Sequence, residues 1–421
     1  MLASWFRRLA IAVWAAFGSA TSALRELQTA LLLLAGIALI AQIGISIMLP
    51  LLPVYATNLG ATPDILFWLT SGFAVTSTIG QLGAGSLVDR ITPRRQIPLG
   101  AGFYAASNVL IATATAAIPL VFYRAMAGLG GGVMLIAERL YVVRVIEAGR
   151  LAFANGVLSA AGSVGAVIGP VFGATLAGVD LRFPFFLVAA TSSIYAVAAL
   201  RLPAPRPEPA EGSSEGGTAT AARPVAAGSS RADAFRRLGP LLLVNLGLSG
   251  AYGAWIVTYG VYATTQLGWP TGDVAWVFGY FGLGSIILGP YLSRQADRRG
   301  RRLLAAIGLT LVSSWTLLLL LGLPQGLLFP TAILAGGGLT VSQSSWFALL
   351  GEATGGGRRG RSFGLVTALS NMGIVAGAFA ATATWNRLDV HAGLGTSLAF
   401  LSLAILALAI VRRPQPAREG S

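Results

Sequence analysis

The chain repeats itself at an offset of about 208 residues. Asp89-Arg90 returns as Asp297-Arg298, Gly128-Leu-Gly-Gly as Gly336-Gly-Gly-Leu, and Gly156, Gly165 and Gly169 as Gly364, Gly373 and Gly377. Tyr55-Ala-Thr returns as Tyr262-Ala-Thr, one residue out of step. A duplication of this length admits only folds made of two like halves. Residues are 55% hydrophobic and only 10% charged, with a mean hydropathy of +0.74. A soluble domain carries about 25% charged residues, so lipid must replace water as the outer solvent. Two similar halves embedded in lipid point to transport.

Only helices or closed barrels satisfy their backbone groups in lipid, and a helix needs roughly 20 apolar residues to cross. The apolar runs are too long and continuous for barrel strands. Twelve spans are expected: 30–56, 65–88, 97–117, 119–141, 152–178, 183–202, 239–263, 273–293, 303–322, 327–350, 363–385 and 393–411. Arginine sets their direction. Alternate loops and the two ends hold 26 of the 29 basic residues, all of them Arg, whereas the opposite loops hold only Arg182 and Arg387. Positive loops stay cytoplasmic, so both termini are expected inside, in a multi-pass protein of the plasma membrane.

The net charge of +14 is therefore read as a topology signal, and no nucleic-acid partner is expected. Cys is absent and His391 is the single histidine, so no ligand cluster marks a metal centre. No paired His or nucleophile-plus-base arrangement marks an enzyme, and no cofactor is expected. A receptor or scaffold remains as a rival class.

Residues 1–29 include a moderately apolar stretch, Leu9 to Leu24, behind Arg7 and Arg8. Arg25 and Glu26 follow at once, which disfavours a cleaved leader and favours an interfacial or cytoplasmic segment. Residues 203–238 are rich in Pro, Gly, Ser and Glu and read as a solvated linker. It separates an N-terminal bundle, 30–202, from a C-terminal bundle, 239–412, with 413–421 as a tail.

The loop after the second span reads Gly85-Ser-Leu-Val-Asp89-Arg90-Ile-Thr-Pro-Arg94-Arg95, and that after the eighth reads Ser293-Arg-Gln-Ala-Asp297-Arg298-Arg-Gly300-Arg301-Arg302. Here the chain resembles the major facilitator superfamily, whose cytoplasmic loop motif is Gly-x-x-x-Asp-Arg-x-Gly-Arg-Arg. The resemblance covers roughly residues 30–412. It implies an all-α membrane fold of twelve transmembrane helices in two pseudo-symmetric six-helix bundles. The second copy has Ser293 in the place of the Gly; the first has Thr92 and an inserted Pro93. Gly85, Asp89, Arg90, Arg94, Asp297, Arg298, Gly300 and Arg301 are then expected to form a cytoplasmic gate, with Asp accepting charge-assisted hydrogen bonds.

Span 4 carries Arg124-Ala-Met-Ala-Gly128-Leu-Gly130, which resembles the family motif Arg-x-x-x-Gly-x-Gly. Arg124 lies roughly 7 Å inside the outer end. An intramembrane Arg is a functional hypothesis by default: it can bind an anionic substrate, take part in proton coupling, pair with a carboxylate or snorkel outward. Its repeat equivalent is Ala332. Span 5 places Gly165, Gly169 and Gly173 one turn apart beside Pro170. Small residues at this spacing let helices pack closely. The stretch resembles the family's antiporter motif Gly-x-x-x-Gly-Pro-x-x-Gly-Gly, with Ala174 in the last position.

No carboxylate lies in the middle of span 1, where Gln42 and Ser46 stand instead. Glu138, near the cytoplasmic end of span 4, joins Arg124 as a coupling candidate. If the family arrangement holds, spans 1, 4, 7 and 10 line the cavity, and substrate-binding candidates are Gln42, Ser46, Arg124, Asn245, Tyr252, Trp255, Tyr259, Gln343 and Trp346. The resemblance implies a secondary active transporter working by alternating access: a proton-coupled exporter of drugs or metabolites, most like the drug:proton antiporters, or alternatively a uniporter or importer of organic anions using Arg124. Its expected partners are a small-molecule substrate, protons and the lipid bilayer. It is expected to act as a monomer, although Gly-rich faces can pack between chains as readily as within one.

Overall fold

The computed structural model describes residues 29–87, 90–145, 151–202, 231–354 and 359–411. Residues 1–28, most of the linker, Asp89 and the tail 413–421 lie outside the described residues. Those that are described form thirteen α-helices and no strand: α1 Thr29–Asn58, α2 Pro63–Ser86, α3 Pro93–Ala112, α4 Ala117–Val145, α5 Leu151–Ala177, α6 Phe183–Leu200, α7 Arg231–Thr265, α8 Thr271–Ile287, α9 Gly289–Arg299, α10 Arg301–Leu320, α11 Gln325–Thr354, α12 Arg359–Arg387 and α13 Val390–Ile410.

Among the described residues, eight helices are individually long and apolar enough to cross a bilayer, and α8 with α9 forms a ninth crossing. The first turn of α3 is polar (Arg94, Arg95, Gln96), and α5 contributes a shorter apolar stretch, Ala161–Ala177. With α12 these helices complete the twelve-helix arrangement, because they pack as their repeat partners do. The outward surface carries large apolar side chains, including Trp68 (57% exposed), Phe122 (71%) and Leu406 (64%). Water would penalise a surface of that kind, whereas hydrocarbon matches it.

Two expected boundaries change. The eighth span, expected as one helix over 273–293, is two helices bent by 48°. Pro290 explains the break: it lacks the N–H that would reach residue 286, and its ring crowds that carbonyl. The linker, expected to run to 238, is helical from Arg231. Residues 231–238 contain no Gly or Pro, so α7 extends beyond its apolar part until Gly239 and Pro240 are incorporated within it.

The repeat is reproduced contact for contact. Within the first half α1 packs on α5 and α6, α2 on α4, and α3 on α4 and α6; within the second, α7 packs on α12 and α13, α8 on α11, and α10 on α11 and α13. The halves meet through α5 with α8, α2 with α12, and α1 with α7. Tyr55 Oη donates to the carbonyls of Ile111 and Ala112, and Tyr262 Oη to those of Leu319 and Leu320. A Cβ on Gly130 would lie 2.7 Å from Gly100 O, and one on Gly338 2.8 Å from Gly308 O. Likewise Gly128 meets Phe73 O and Gly336 meets Phe281 O. Backbones at this separation admit only hydrogen at those positions.

The core is continuous across both halves at the end away from the Arg-rich loops. There Ile47, Leu52, Tyr55, Leu66 and Phe185 of the first half form one cluster with Val257, Tyr262, Val274, Trp315 and Leu394 of the second. Toward the Arg-rich end it divides. One cluster, with Leu34, Ile97, Ala137, Tyr141 and Tyr195, belongs wholly to the first half; another, with Leu241, Leu309, Trp346 and Leu408, belongs wholly to the second. The bridging hydrogen bonds follow the same gradient. Asn386 Nδ2 donates to Asp64 Oδ1 (2.8 Å) at the closed end, and Asn371 Nδ2 to Thr78 Oγ1 (2.6 Å) deeper in.

Gly130→Ala is expected to lower stability by about 1–3 kcal/mol through overpacking. Gly102→Ala, whose Cβ meets nothing within 4 Å, is expected to leave stability unchanged or raise it by up to about 1 kcal/mol. Denaturant unfolding of the two variants in detergent micelles measures the contrast.

Candidate functional site

A cavity of about 110 Å³ lies between the halves, lined from both sides. The first half supplies Leu49, Leu52 and Pro53 of α1, Thr70, Phe73, Ala74 and Ser77 of α2, and Arg124 of α4. The second supplies Tyr252 and Ile256 of α7 with Asn371 and Ile374 of α12. At 1.5 Å per residue, these positions lie about 7–24 Å from the closed helix ends. That depth is near the middle of a bilayer core. The walls are mainly apolar, with a few polar groups converging on them, as in small-molecule sites generally.

Arg124 is the buried charged side chain among the described residues, at 6% exposure. Its guanidinium carbon stands 3.9 Å from the Phe73 ring centroid, and Nη1 reaches Met48 Sδ at 3.6 Å. Nε has no hydrogen-bond partner, and no described carboxylate pairs with the group. The phenols of Tyr104 and Tyr252 lie near it, and Tyr104 Oη likewise has no hydrogen-bond partner. A cation over an aromatic face gains about 2 kcal/mol or more when desolvated. Removing an ion from water costs several kcal/mol, so Phe73 offsets only part of that penalty. Snorkelling, one of the readings open from sequence, does not fit such burial.

The second half solves the same packing problem without charge. The equivalents of Phe73, Arg124 and Ser107 are Phe281, Ala332 and Trp315, and those of Met48 and Leu52 are Trp255 and Tyr259. Trp255 stacks on Tyr259 (centroids 4.4 Å, planes 8° apart), and Trp315 meets Phe281 edge-on at 4.9 Å. Trp315 Nε1 and Tyr259 Oη donate to the carbonyls of Leu328 and Val274. The indoles thus fill the space that Arg124 and the cavity occupy in the first half.

Of the nine expected substrate-binding residues, Arg124 and Tyr252 line the cavity, and Tyr252 is 40% exposed there. Trp255 and Tyr259 sit in the aromatic cluster. Gln42 donates to Ser46 Oγ at 3.2 Å, and both lie against α5, where Gly165 and Gly169 approach Gln42 Cβ and Ser46 Cβ. Asn245 donates to Ser370 Oγ (2.9 Å) in the contact between α7 and α12. Trp346 Nε1 donates to Leu241 O (2.8 Å) toward the Arg-rich end, and Gln343 is exposed outside the cavity. Thr70, Phe73, Ser77 and Asn371 were not among the expected residues. Their available signal was a polar, small-residue face on span 2 at three-and-four spacing and an intramembrane Asn on span 11.

The expected packing motif joins helices within the chain: Gly165, Gly169 and Gly173 lie against the α1 backbone at Leu39, Ile43 and Ile47, and α5 runs through Pro170. Of the expected gate residues, Asp297 and Arg301 are brought together, both in the second copy of the loop. Asp89 lies outside the described residues; Gly85, Arg90 and Arg298 are exposed. Arg301 pairs with Asp297 within its own half (3.0 Å), and Gly300 takes a positive φ of 107° at the turn between α9 and α10. In the first copy Thr92 is extended and Pro93 opens α3, so no left-handed residue is needed. Arg94 donates to Leu200 O (3.3 Å) and Arg302 to Val411 O (2.7 Å), each tying the last helix of its own half. Tyr195 Oη donates to Glu138 Oε2 (3.4 Å) inside the first half's separate cluster. Among the described residues no group of His, Cys and carboxylates could hold a metal.

The family model described as Major Facilitator Superfamily matches residues 34–270 and 241–421. Multidrug resistance protein 2 of Bacillus subtilis (strain 168) is 28% identical over 174 residues, which is 41% of this chain and 44% of that protein. Quinolone resistance protein NorA of Staphylococcus aureus (strain MRSA252) is 28% identical over 148 residues, 35% of this chain and 38% of that protein. The chain thus spans less than half the length of these curated relatives. Among solved structures, the nucleoside transporter NupG superposes with a TM-score of 0.72 at 15% identity, covering 92% of this chain and 100% of that one. The similarity to NupG is one of fold.

Trp255→Ala is expected to cost about 3–5 kcal/mol of stability, the range for truncating a packed core aromatic, with little change in the affinity of a cavity ligand. Thermal unfolding and ligand binding measured on one detergent-solubilised sample test both halves of that statement.

Proposed function

Because this chain belongs to the major facilitator superfamily, we propose that it is a secondary active transporter exporting small organic molecules, drugs among them, from the cytoplasm by alternating access in exchange for protons. One observation carries the reading: a single core fuses the halves at one end and divides into two at the Arg-rich end. A cavity at mid-depth between two such bodies can open to the Arg-rich side while the far side stays closed, and rocking would reverse the arrangement. The excess of Arg in the loops of the open side supports a cytoplasmic position for that side and, with it, a plasma-membrane protein with both ends inside. Relatives named for multidrug and quinolone resistance support export as the direction and drugs as cargo.

Glu138 supports proton exchange. It is a carboxylate within a spanning helix, half-buried and hydrogen-bonded to Tyr195 in the cluster of the first half that parts from the second. Such a group can take up or release a proton as its surroundings change between states.

Two experiments test the reading. The chain has no Cys, so Asp64→Cys with Asn386→Cys carries the only thiols. Joining them with a short bifunctional reagent should hold the outer end shut and abolish flux in proteoliposomes, while each single variant treated alike stays active. Unimpaired flux after complete cross-linking argues against alternating access at that end. Separately, Glu138→Gln keeps an acceptor for Tyr195 but cannot titrate. It should lose uphill efflux driven by a pH gradient and keep downhill exchange. Wild-type flux that ignores the gradient points instead to uniport.

A further inference from the structure

We infer that the cavity is built for cargo in which an anionic group, such as a carboxylate, is attached to a flat ring, the anion seating against Arg124. This rests on the reading of the cavity as the cargo site and adds the charge of what it accepts. Arg124 is buried, lines the cavity, and has an Nε without a partner. Its contacts are a ring face and a thioether, with no described carboxylate. A buried guanidinium in that state lacks both a counter-charge and a full set of acceptors.

Packing does not require the charge. The equivalent place around Phe281 is filled by Trp255 and Trp315, with Ala332 where Arg124 stands. An uncharged solution was therefore available to the same backbone, and the cation serves something other than volume. A planar carboxylate matches the guanidinium fork. The ring would lie among Leu52, Ile256 and Ile374, with Tyr252 as an aromatic wall. The present volume of about 110 Å³ is below the roughly 150 Å³ of an apolar cavity that takes up benzene, so a single ring is the upper size for this state. A monocation brought beside Arg124 would meet like charge in a medium of low dielectric, so simple organic cations should be poor cargo.

The test is a matched series of one ring and three charges: benzoate, benzyl alcohol and benzylammonium. Binding to the purified full chain in zwitterionic nanodiscs is read by saturation-transfer NMR. Benzoate should bind roughly tenfold more tightly than the alcohol, the scale of one charge-assisted bidentate contact, and benzylammonium should bind most weakly. Arg124→Gln should bring benzoate level with the alcohol, and Arg124→Lys should keep part of the preference. Equal binding of all three probes by the wild type, or tightest binding of benzylammonium, overturns the inference whatever the variants do. A charge order that survives Arg124→Gln also overturns it. Proteoliposome flux separates this idea from the transport reading. The stated binding order without saturable flux sinks transport and leaves the anion site standing. Saturable flux of cations without charge preference does the reverse.

Discussion

Close approach of backbones is the constraint on which this molecule depends. Lipid gives helices no hydrophobic reason to associate, so association relies on contact area and interhelical hydrogen bonds. Glycine supplies that area where it matters most. Gly130 lies against Gly100 and Gly338 against Gly308; Gly165 and Gly169 lie against α1 as Gly373 and Gly377 lie against α7. The glycines bind α3 to α4, α10 to α11, α1 to α5 and α7 to α12, and so make each half a body in its own right. Between the halves the joins are sparser, being two hydrogen bonds among the described residues, from Asn371 and Asn386, and two apolar clusters at one end. Firm cohesion within each half and lighter cohesion between them is the mechanical condition for one to turn against the other.

The same division shows in the described parts of the two Asp-Arg loops. The contacts seen are internal to each half: Asp297 with Arg301, Arg94 with the end of α6, Arg302 with the end of α13. Arginine donating to carbonyls at a helix C-terminus satisfies acceptors that have no partner along the helix and meets the negative end of its dipole. These arginines therefore brace the Arg-rich end of each half as a unit, in the same state in which the cores at that end stand apart.

Much of this was legible in the sequence. The repeat offset of 208, and its slip to 207 in the first span, reappear in the contacts themselves: Tyr55 and Tyr262 keep equivalent acceptors, as do the paired glycines. Helix type followed from apolar length, which by itself accounts for eight crossings and, with α8 and α9, a ninth; the Pro290 break was written in the chain, although a continuous apolar run masked it. The cavity was harder to read. A polar or aromatic residue in a membrane helix advertises itself equally whether it faces a ligand or a neighbouring helix. Trp255 and Tyr259 looked like ligand groups by spacing alone. Only the packing of α7 against α8 and α10 shows them filling a core. Thr70, Phe73 and Ser77 were quiet in the sequence because their importance comes from standing opposite Arg124 and Asn371, and those pairings are set by tertiary structure.

Duplication also explains why the charge sits on one side only. Two identical halves would place two guanidinium groups at equivalent depths, and a single cargo would have to balance both in a low-dielectric site. Packing one copy with Trp255, Tyr259 and Trp315 leaves that half stiff and uncharged, while the other keeps Arg124 and the open volume beside Leu49 and Leu52. On the proposed reading the asymmetry has a consequence for the cycle. Closing both ends over an empty cavity would seal an uncompensated cation away from water, whereas closing them over an anion seals a neutral pair. The penalty for burying Arg124 alone thus raises the energy of the empty occluded state relative to the loaded one. A difference of that sign slows every crossing made without cargo, the proton-loaded return stroke included, so on this reading that return is the slow step of the exchange.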